Sequence, residues 1–253
     1  MDSIDGKTAL VIGGSGGIGS SVCEALAACG VHLIIHGGSE SKRFDVLAEK
    51  LGQKVRVETR IQRFESGFLA DFASMPLYKD AQKADIICVC FGPFVQKALE
   101  DTDSADWERA ALNYLLPGVI VSAALRPMIK RSWGRFLFFG GTRTDRINAF
   151  RTNAAYAGAK TALSSLVRSV ALTYAAQGIT CNAVLPGFTC TEYVSENERK
   201  KRAAQMPQKR LLEPNEIADA AVFLLRNPML NGVLLPVDGG WAPDFGQNTG
   251  NYI

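Results

Sequence analysis

The chain has 253 residues, a hydrophobic content of 47% and a formal net charge of +3. This length and apolar content are enough to bury the core of one large α/β domain, which we expect to cover residues 1–253. The charge is small and the basic residues are dispersed, so composition gives no case for a nucleic acid or a membrane surface as the partner. A small molecule is the expected partner.

Cysteine and histidine usage argues against disulfides and against a metal site. The six cysteines lie mostly inside apolar runs without CxxC spacing, so we expect buried free thiols. The two histidines, His32 and His36, flank an apolar run in a strand-like alternation rather than forming a ligand set. The first five residues are acidic and polar, and no apolar stretch is expected to reach membrane-spanning length. We therefore expect a cytoplasmic protein.

Short apolar runs alternate with longer amphipathic stretches along the chain. Strands are predicted at residues 9–12, 33–35, 54–59, 86–90, 136–139, 180–185 and 233–237. Helices are predicted at residues 20–29, 41–51, 106–131 and 154–177. This alternation is typical of βαβ units, so the sequence predicts a doubly wound parallel sheet with helices on both faces.

Two segments have no clear periodicity, residues 140–153 and residues 186–214. The second carries a basic run at 199–202, which is either the solvated face of a surface helix or an attraction for an anionic substrate. Loops of this length in a compact domain are often lids or binding loops. We expect a substrate lid at about 189–213.

A glycine-rich turn follows the first predicted strand and leads directly into a helical pattern. Its candidate binding residues are Gly13, Ser15, Gly16, Gly17, Ile18 and Gly19. Glycines let the backbone approach a pyrophosphate, which then lies at a helix N-terminus where free N–H groups favour anions. The turn therefore predicts a dinucleotide site, the alternative being a strand-to-helix turn without a ligand.

The end of the second predicted strand bears on the choice of cofactor. Many nicotinamide-binding folds place an acidic residue about 20 residues after the turn, where it accepts from the ribose of NAD. Here residues 36–39 read HGGS and that acid is missing. The backbone of Gly37 and Gly38, the Ser39 hydroxyl and the basic pair at 42–43 could accommodate a 2′-phosphate. NADP(H) is therefore predicted over NAD(H), unless the basic pair only solvates the next helix.

Tyr156 and Lys160 are spaced so that both side chains lie on one face of a helix. A phenol with a pKa of about 10 is a poor acid–base catalyst at neutral pH, but a neighbouring ammonium stabilises its phenolate. Such a pair suits carbonyl and alcohol chemistry. The spacing alone would equally fit a solvated helix face.

These motifs resemble those of the short-chain dehydrogenase/reductase family over nearly the whole chain. The turn is similar to the family's TGxxxGxG motif, with Ile12 in place of threonine, and the Tyr–Lys pair matches YxxxK. Residues 182–187, 210–218 and 237–240 resemble further signatures. The resemblance implies a Rossmann fold, a homotetramer, and closest similarity to the 3-oxoacyl-acyl-carrier-protein reductase branch.

The resemblance also implies roles for individual residues. Tyr156 would protonate the nascent alkoxide, Lys160 would lower the Tyr156 pKa and bond the nicotinamide ribose, and Asn113 would connect Lys160 to solvent through a water. Further cofactor contacts are implied at Gly92, Pro186, Gly187, Thr189 and Thr191.

The sequence departs from the family pattern at the position of the catalytic serine. That position is Gly141, which has no hydroxyl, and the adjacent Thr142 either substitutes for the serine or is a plain loop threonine. The family's NNAG motif reads VCFG at 89–92, and the acid that contacts adenine is missing.

Two functions are therefore weighed. The first is an NADP(H)-dependent oxidoreductase that interconverts a ketone, with a 3-oxoacyl group as one candidate, and a secondary alcohol. The second is a non-catalytic nucleotide-binding or sensor protein on the same fold.

Arg143, Arg146 and Arg151 are either surface residues or contacts for an anionic substrate. The tail at 241–253 is expected to dock on a surface rather than to fray.

Overall fold

The computed structural model describes residues 2–64 and 67–241. Seven parallel strands form a sheet in the order β3-β2-β1-β4-β5-β6-β7. The strands are β1 (Thr8–Ile12), β2 (His32–Gly37), β3 (Val57–Ile61), β4 (Ile86–Val89), β5 (Gly134–Phe139), β6 (Ile179–Pro186) and β7 (Leu234–Val237). The predicted doubly wound parallel sheet is confirmed.

Helices cover both faces of the sheet. They are α1 (Gly17–Ala28), α2 (Lys42–Gly52), α3 (Pro76–Lys83), α4 (Ser104–Arg131), α5 (Ala154–Tyr174), α6 (Glu196–Gln205) and α7 (Pro214–Arg226). Successive side chains of a strand point to opposite faces. In β1, Val11 accordingly joins the apolar cluster under α1 and α7, whereas Leu10 joins the cluster under α4 and α5. Because the inner strands are buried on both faces of the sheet, their sequences are continuous apolar runs.

Several element boundaries differ from the prediction. The strand predicted at 54–59 begins at Val57, because Leu33 pairs with Val57 and residues 53–55 still form the turn after α2. No bounds were predicted for helices α3 and α7, although each begins with a proline at its first position, where a missing N–H costs nothing. The prediction at 154–177 holds as α5 followed by a 3₁₀ turn.

The longest helix, α4, is apolar and long enough to cross a bilayer by length and composition, so the expectation that no stretch reaches that length is wrong. The helix packs against α3 and α5 and buries Leu116, Ile120 and Ala124. A helix that is buried in a protein core can be as long and as apolar as one that crosses a bilayer. Its apolar content is therefore explained by its place against the sheet.

The two irregular segments have different structures. Residues 140–153 contain neither helix nor strand, as predicted. The second segment includes α6, which begins with a capping box between Ser195 and Glu198. The basic run lies on this helix, where Lys200 pairs with Glu196 and Arg202 with Glu198 across one turn. Its interpretation as a surface helix is therefore confirmed.

The carboxyl ends of the parallel strands share one edge of the sheet, and the strand order reverses between β1 and β4. Ligands of such folds bind in the crevice at this point. The predicted site segments follow β1, β2, β4, β5 and β6, so the topology brings them to this edge.

The tail at 242–253 lies outside the described residues. The six cysteines are free, and Cys23, Cys88 and Cys181 are buried.

Candidate active site

The turn between β1 and α1 requires glycine at positions where other backbone comes very close. Gly13 has a φ of 77°, and a Cβ placed there would lie 2.6 Å from the Phe91 nitrogen. A Cβ at Gly19 would overlap the carbonyl oxygen of Gly13. Helix α1 has no side-chain cap at Gly16, so its first amide groups are available to another acceptor. Ser15 and Ile18 are half-buried within this turn.

His36 connects the turn to the ends of two neighbouring strands. Its Nδ1 accepts from the Gly13 amide at 3.2 Å, and its Nε2 lies 2.7 Å from the carbonyl oxygen of Gln62. Since the amide must donate, the ring proton is on Nε2 and is donated to Gln62. Burial lowers the pKa of His36 to about 4, so the ring is neutral at physiological pH. The sequence indicated only a strand residue here.

A carboxylate lies at the N-terminus of α1. The two Glu192 oxygens are 3.0 and 3.2 Å from the Gly17 amide nitrogen. Arg43 pairs with Glu192, and its Nη2 donates to the Ser15 carbonyl at 3.0 Å. The methyl group of Thr191 lies beside Gly17, where an added Cβ would stand 3.6 Å from it. The arrangement shows that the turn accepts an anion, as a pyrophosphate-binding turn must.

The segment after β2 is open on its outer side. Gly37 is buried against Phe44 and Ser15, whereas Gly38 and Ser39 are exposed. No described atom lies within 4 Å of a Cβ built on Gly38. Of the basic pair, Arg43 reaches back to the glycine turn through its bond to Ser15.

Tyr156 and Lys160 lie on one face of α5, as their spacing predicts. The Lys160 Nζ is 5.8 Å from the centre of the Tyr156 ring and donates to the Phe139 carbonyl at 2.5 Å. Burial raises the pKa of Tyr156 to about 12 and lowers that of Lys160 to about 8. Desolvation is the cause of the raised Tyr156 pKa and the ammonium donates to Phe139, so the lowering of this pKa by Lys160 stays a prediction. The phenol is therefore protonated at neutral pH.

Asn113, on α4, is buried behind Lys160. Its Nδ2 donates to the carbonyls of Pro93 and Ala110 at 2.9 and 3.0 Å. Its Oδ1 is buried without a hydrogen-bond partner among the described residues. A Cβ at Gly92 would lie 2.5 Å from this Oδ1 and 2.9 Å from the Lys160 Nζ. Both polar atoms therefore converge on the space that glycine leaves at position 92.

Gly141 faces the phenol of Tyr156. A Cβ built there would stand 3.3 Å from Tyr156 Cε1 and 3.6 Å from its hydroxyl. The Thr142 hydroxyl instead donates to the Pro186 carbonyl at 2.9 Å, across the gap to β6. Thr144 fixes the turn, since its hydroxyl bonds both the amide and the carbonyl of Gly141. The substitution of Thr142 for the serine stays a prediction.

Aromatic side chains border the site on two sides. Phe94 is half exposed and packs edge-on against Tyr156, with 4.9 Å between ring centres. Phe188, after β6, contacts Trp241 at 4.1 Å and lies under the Arg202 guanidinium at 5.2 Å. Beside Phe188, Gly187 packs closely on Asp238, and the Thr189 hydroxyl donates to the Gly187 carbonyl.

The loop arginines lie at the surface. Arg143, Arg146 and Arg151 are all exposed. Arg143 has a φ of 62°, an unusual conformation for a side-chain-bearing residue, and its carbonyl accepts from Asn148 at 2.7 Å. Across residues 2–64 and 67–241, no three His, Cys, Asp or Glu side chains are placed to hold a metal ion.

The sequence of the chain matches a known family over most of its length. Residues 13–242 match the profile of a family described as enoyl-(acyl carrier protein) reductase, a branch of the short-chain dehydrogenases. The chain belongs to the short-chain dehydrogenase/reductase family. As a member of that family it is an NAD(P)-dependent dehydrogenase or reductase of alcohols and carbonyls, and it binds a nicotinamide cofactor.

Relatives of this short-chain dehydrogenase/reductase span nearly its whole length. The "uncharacterized oxidoreductase YmfI" of Bacillus subtilis (strain 168) is 32% identical, over 93% of this chain and 98% of the relative. The 3-oxoacyl-[acyl-carrier-protein] reductase FabG of Aquifex aeolicus (strain VF5) is 29% identical, over 94% and 98%. A solved "short chain dehydrogenase/reductase family protein" is 30% identical, with a TM-score of 0.79 over 95% and 99% of the two chains.

Proposed function

We propose that this protein reduces a ketone to a secondary alcohol with NADP(H), with Tyr156 as the acid. The observation that carries the proposal is the protonated phenol of Tyr156, which faces Gly141 and lies beside Lys160. When bound, the nicotinamide supplies the hydride. Tyr156 donates its hydroxyl proton to the substrate oxygen as negative charge develops there.

Lys160 and Asn113 support the proton donor. The buried ammonium of Lys160 is a positive charge near the phenol, and it stabilises the phenolate that remains after proton transfer. The partnerless Oδ1 of Asn113 and the Lys160 Nζ face the same space beside Gly92, and a water that bonded both would satisfy the buried Oδ1. This water would return a proton to the site from solvent.

The cofactor is held along the strand ends. The turn at 13–19 takes the pyrophosphate, and the space beside Gly92 and Tyr156 takes the nicotinamide ribose. We assign further contacts to Pro186, Gly187, Thr189 and Thr191. NADP(H) is favoured over NAD(H) because residues 36–39 carry no acid and Arg43 reaches the turn beside them.

The substrate is proposed to be a carbonyl compound with an apolar arm. Phe94 offers apolar surface beside the phenol and Phe188 offers it on the loop after β6, and a 3-oxoacyl chain would suit such surfaces. The relative from Aquifex aeolicus named for that reaction supports the choice. Residues 189–213, with α6, would form the lid, the α4–α5 faces would assemble a homotetramer, and the protein would be cytoplasmic.

The test is NADPH oxidation over β-keto esters, quinones, sugars and steroids by wild type and by Tyr156→Phe. We expect wild type to reduce at least one β-keto ester and Tyr156→Phe to lose at least about a hundredfold in kcat. No turnover by wild type despite tight cofactor binding would favour the second function, a non-catalytic nucleotide sensor. That alternative is supported by Gly141, which removes the hydroxyl that should orient a substrate.

A further inference from the structure

The carboxylate of Glu192 occupies the position at the start of α1 where an anion binds best. Both of its oxygens lie within hydrogen-bond distance of the Gly17 amide, the first amide of the helix. The helix has no other cap at this end. The partial positive charge of the helix terminus therefore acts on a side chain that lies 175 positions away in the sequence.

Arg43 and Tyr193 complete this contact. Arg43 pairs with Glu192 through one nitrogen and donates to the Ser15 carbonyl through the other. A Cβ at Gly16 would lie 2.6 Å from the Tyr193 hydroxyl and 2.7 Å from a Glu192 oxygen. The three side chains thus close directly over the glycine turn. Bonding to Glu192 and Tyr193 outweighs desolvation and raises the pKa of Arg43, while Arg43 and the Gly17 amide help to lower that of Glu192.

The Gly17 amide has one proton, so it cannot serve Glu192 and a pyrophosphate together at full strength. Two anions at this terminus would also repel each other. Arg43 faces the same choice, because one of its terminal nitrogens is paired with Glu192 and the other donates to the Ser15 carbonyl, so a phosphate must displace one of these partners.

We propose that Glu192 is an internal anion that closes the dinucleotide site, and that Arg43 exchanges Glu192 for the 2′-phosphate of the entering cofactor. The proposal rests on the proposed function, because it takes the entering ligand to be NADP(H). Glu192 thereby sets cofactor affinity, and Arg43 sets the preference for the phosphorylated form.

The exchange is coupled to the segment that carries α6. Arg199, on that helix, donates to the carbonyls of Thr191 and Val194 at 2.9 and 3.0 Å. These bonds bracket Glu192 and fix it to the start of α6. Release of Glu192 from Gly17 is therefore passed on to α6 through Arg199, whereas Phe188 and Cys190 remain bonded to Leu212.

The experiment is calorimetric titration with NADPH, NADH and inorganic pyrophosphate. The variants are Glu192→Gln, Arg43→Met and the control Glu196→Gln, which removes an exposed carboxylate of the same loop region without contact to the turn. Glu192→Gln should lower the Kd of all three ligands by about 3- to 30-fold, the range expected for an anion with a charge-assisted bond at a helix terminus. Glu196→Gln should change each Kd by less than about twofold. Arg43→Met should reduce the ratio of NADPH to NADH affinity by about tenfold or more.

The outcomes separate the two proposals. If wild type binds NADPH and Glu192→Gln binds it equally or more weakly, the internal anion is overturned while the proposed function stands. If the NADPH to NADH ratio is unchanged in Arg43→Met, the exchange at Arg43 is overturned. If neither wild type nor Glu192→Gln binds either nucleotide, the proposed function itself fails. Thermal unfolding of each variant checks that a changed Kd does not reflect loss of the fold.

Discussion

Gly141 lies against Tyr156, so that a Cβ on Gly141 would stand 3.3 Å from the ring and 3.6 Å from the hydroxyl. The side chain missing at position 141 would thus point at the proposed proton donor. The neighbouring Thr142 hydroxyl is directed away, to the Pro186 carbonyl. The site has a proton donor without an obvious side-chain partner to hold the substrate oxygen beside it.

Gly141→Ser should raise kcat for ketone reduction by about 10- to 100-fold, because a serine hydroxyl would gain a polar contact with the oxygen in the transition state. The backbone at Gly141 is not in the left-handed region, and the added Cβ needs a shift of only a few tenths of an ångström. Gly141→Ala is the matched control and should give no gain. Equal rates for the two variants would show that the hydroxyl is not what the site lacks. The kcat values of wild type and the two variants are compared by steady-state kinetics with one β-keto ester.

Thr142→Val should lower kcat by about ten- to a thousandfold if the Thr142 hydroxyl rotates from Pro186 to the substrate oxygen. Its bond to Pro186 also predicts a loss of about 1 kcal/mol in unfolding free energy. Urea unfolding and kinetics should be measured on the same samples. A drop in stability with an unchanged kcat would make Thr142 a structural residue only.

Gly92→Ala should reduce kcat at least about tenfold, because the new methyl group would enter the space shared by Asn113 Oδ1 and Lys160 Nζ. The proton return to Tyr156 through that space would then be blocked. Gly118→Ala, on α4, is the control, since no described atom lies within 4 Å of a Cβ there. A rate for Gly92→Ala as high as that of Gly118→Ala would exclude this route for the proton.

The stability of the protein should fall as the pH decreases from about 6.5 to 4, partly through His36. Burial lowers the folded-state pKa of His36 from 6.5 to about 4, so within this range the unfolded chain binds more protons than the folded one. This difference between the two pKa values contributes about 3 kcal/mol to the free energy of unfolding. The contribution is fully present above pH 6.5 and is lost as the pH falls through about 4. The contribution of His36 is measured by urea unfolding of wild type and of His36→Asn at several pH values. A pH dependence identical in both proteins would contradict the assignment.

The parts of the site that sequence reasoning located are those encoded by short, local patterns. The glycine turn, the Tyr156–Lys160 pair and the glycine at position 141 each follow from spacing within one loop or one helix. The strand boundaries were shifted where a turn decides them, as at Val57, and no bounds were predicted for α3 and α7, because helices of 8 and 13 residues offer few turns of apolar periodicity.

The contacts that sequence reasoning missed are long-range. Glu192 meets Gly17 across 175 positions, and His36 bonds Gly13 and Gln62, which follow two different strands. Nothing in the local sequence marks these pairs, since an isolated glutamate in a loop and a histidine in a strand are common. The raised pKa of Tyr156 could not be predicted from the sequence either, because the spacing of two residues does not report how deeply the phenol is buried.

The attachment of Glu192 to the chain has a consequence for small anions. A tethered carboxylate is present at the α1 terminus at a fixed effective concentration, of the order of millimolar for a short flexible tether, however dilute the protein is. Free phosphate or sulfate must compete with it through one contact alone, whereas a dinucleotide adds contacts along several strand ends. Because the Glu192 carboxylate must be displaced, binding of a ligand at the α1 terminus depends on the number of contacts that the ligand makes rather than on its charge alone.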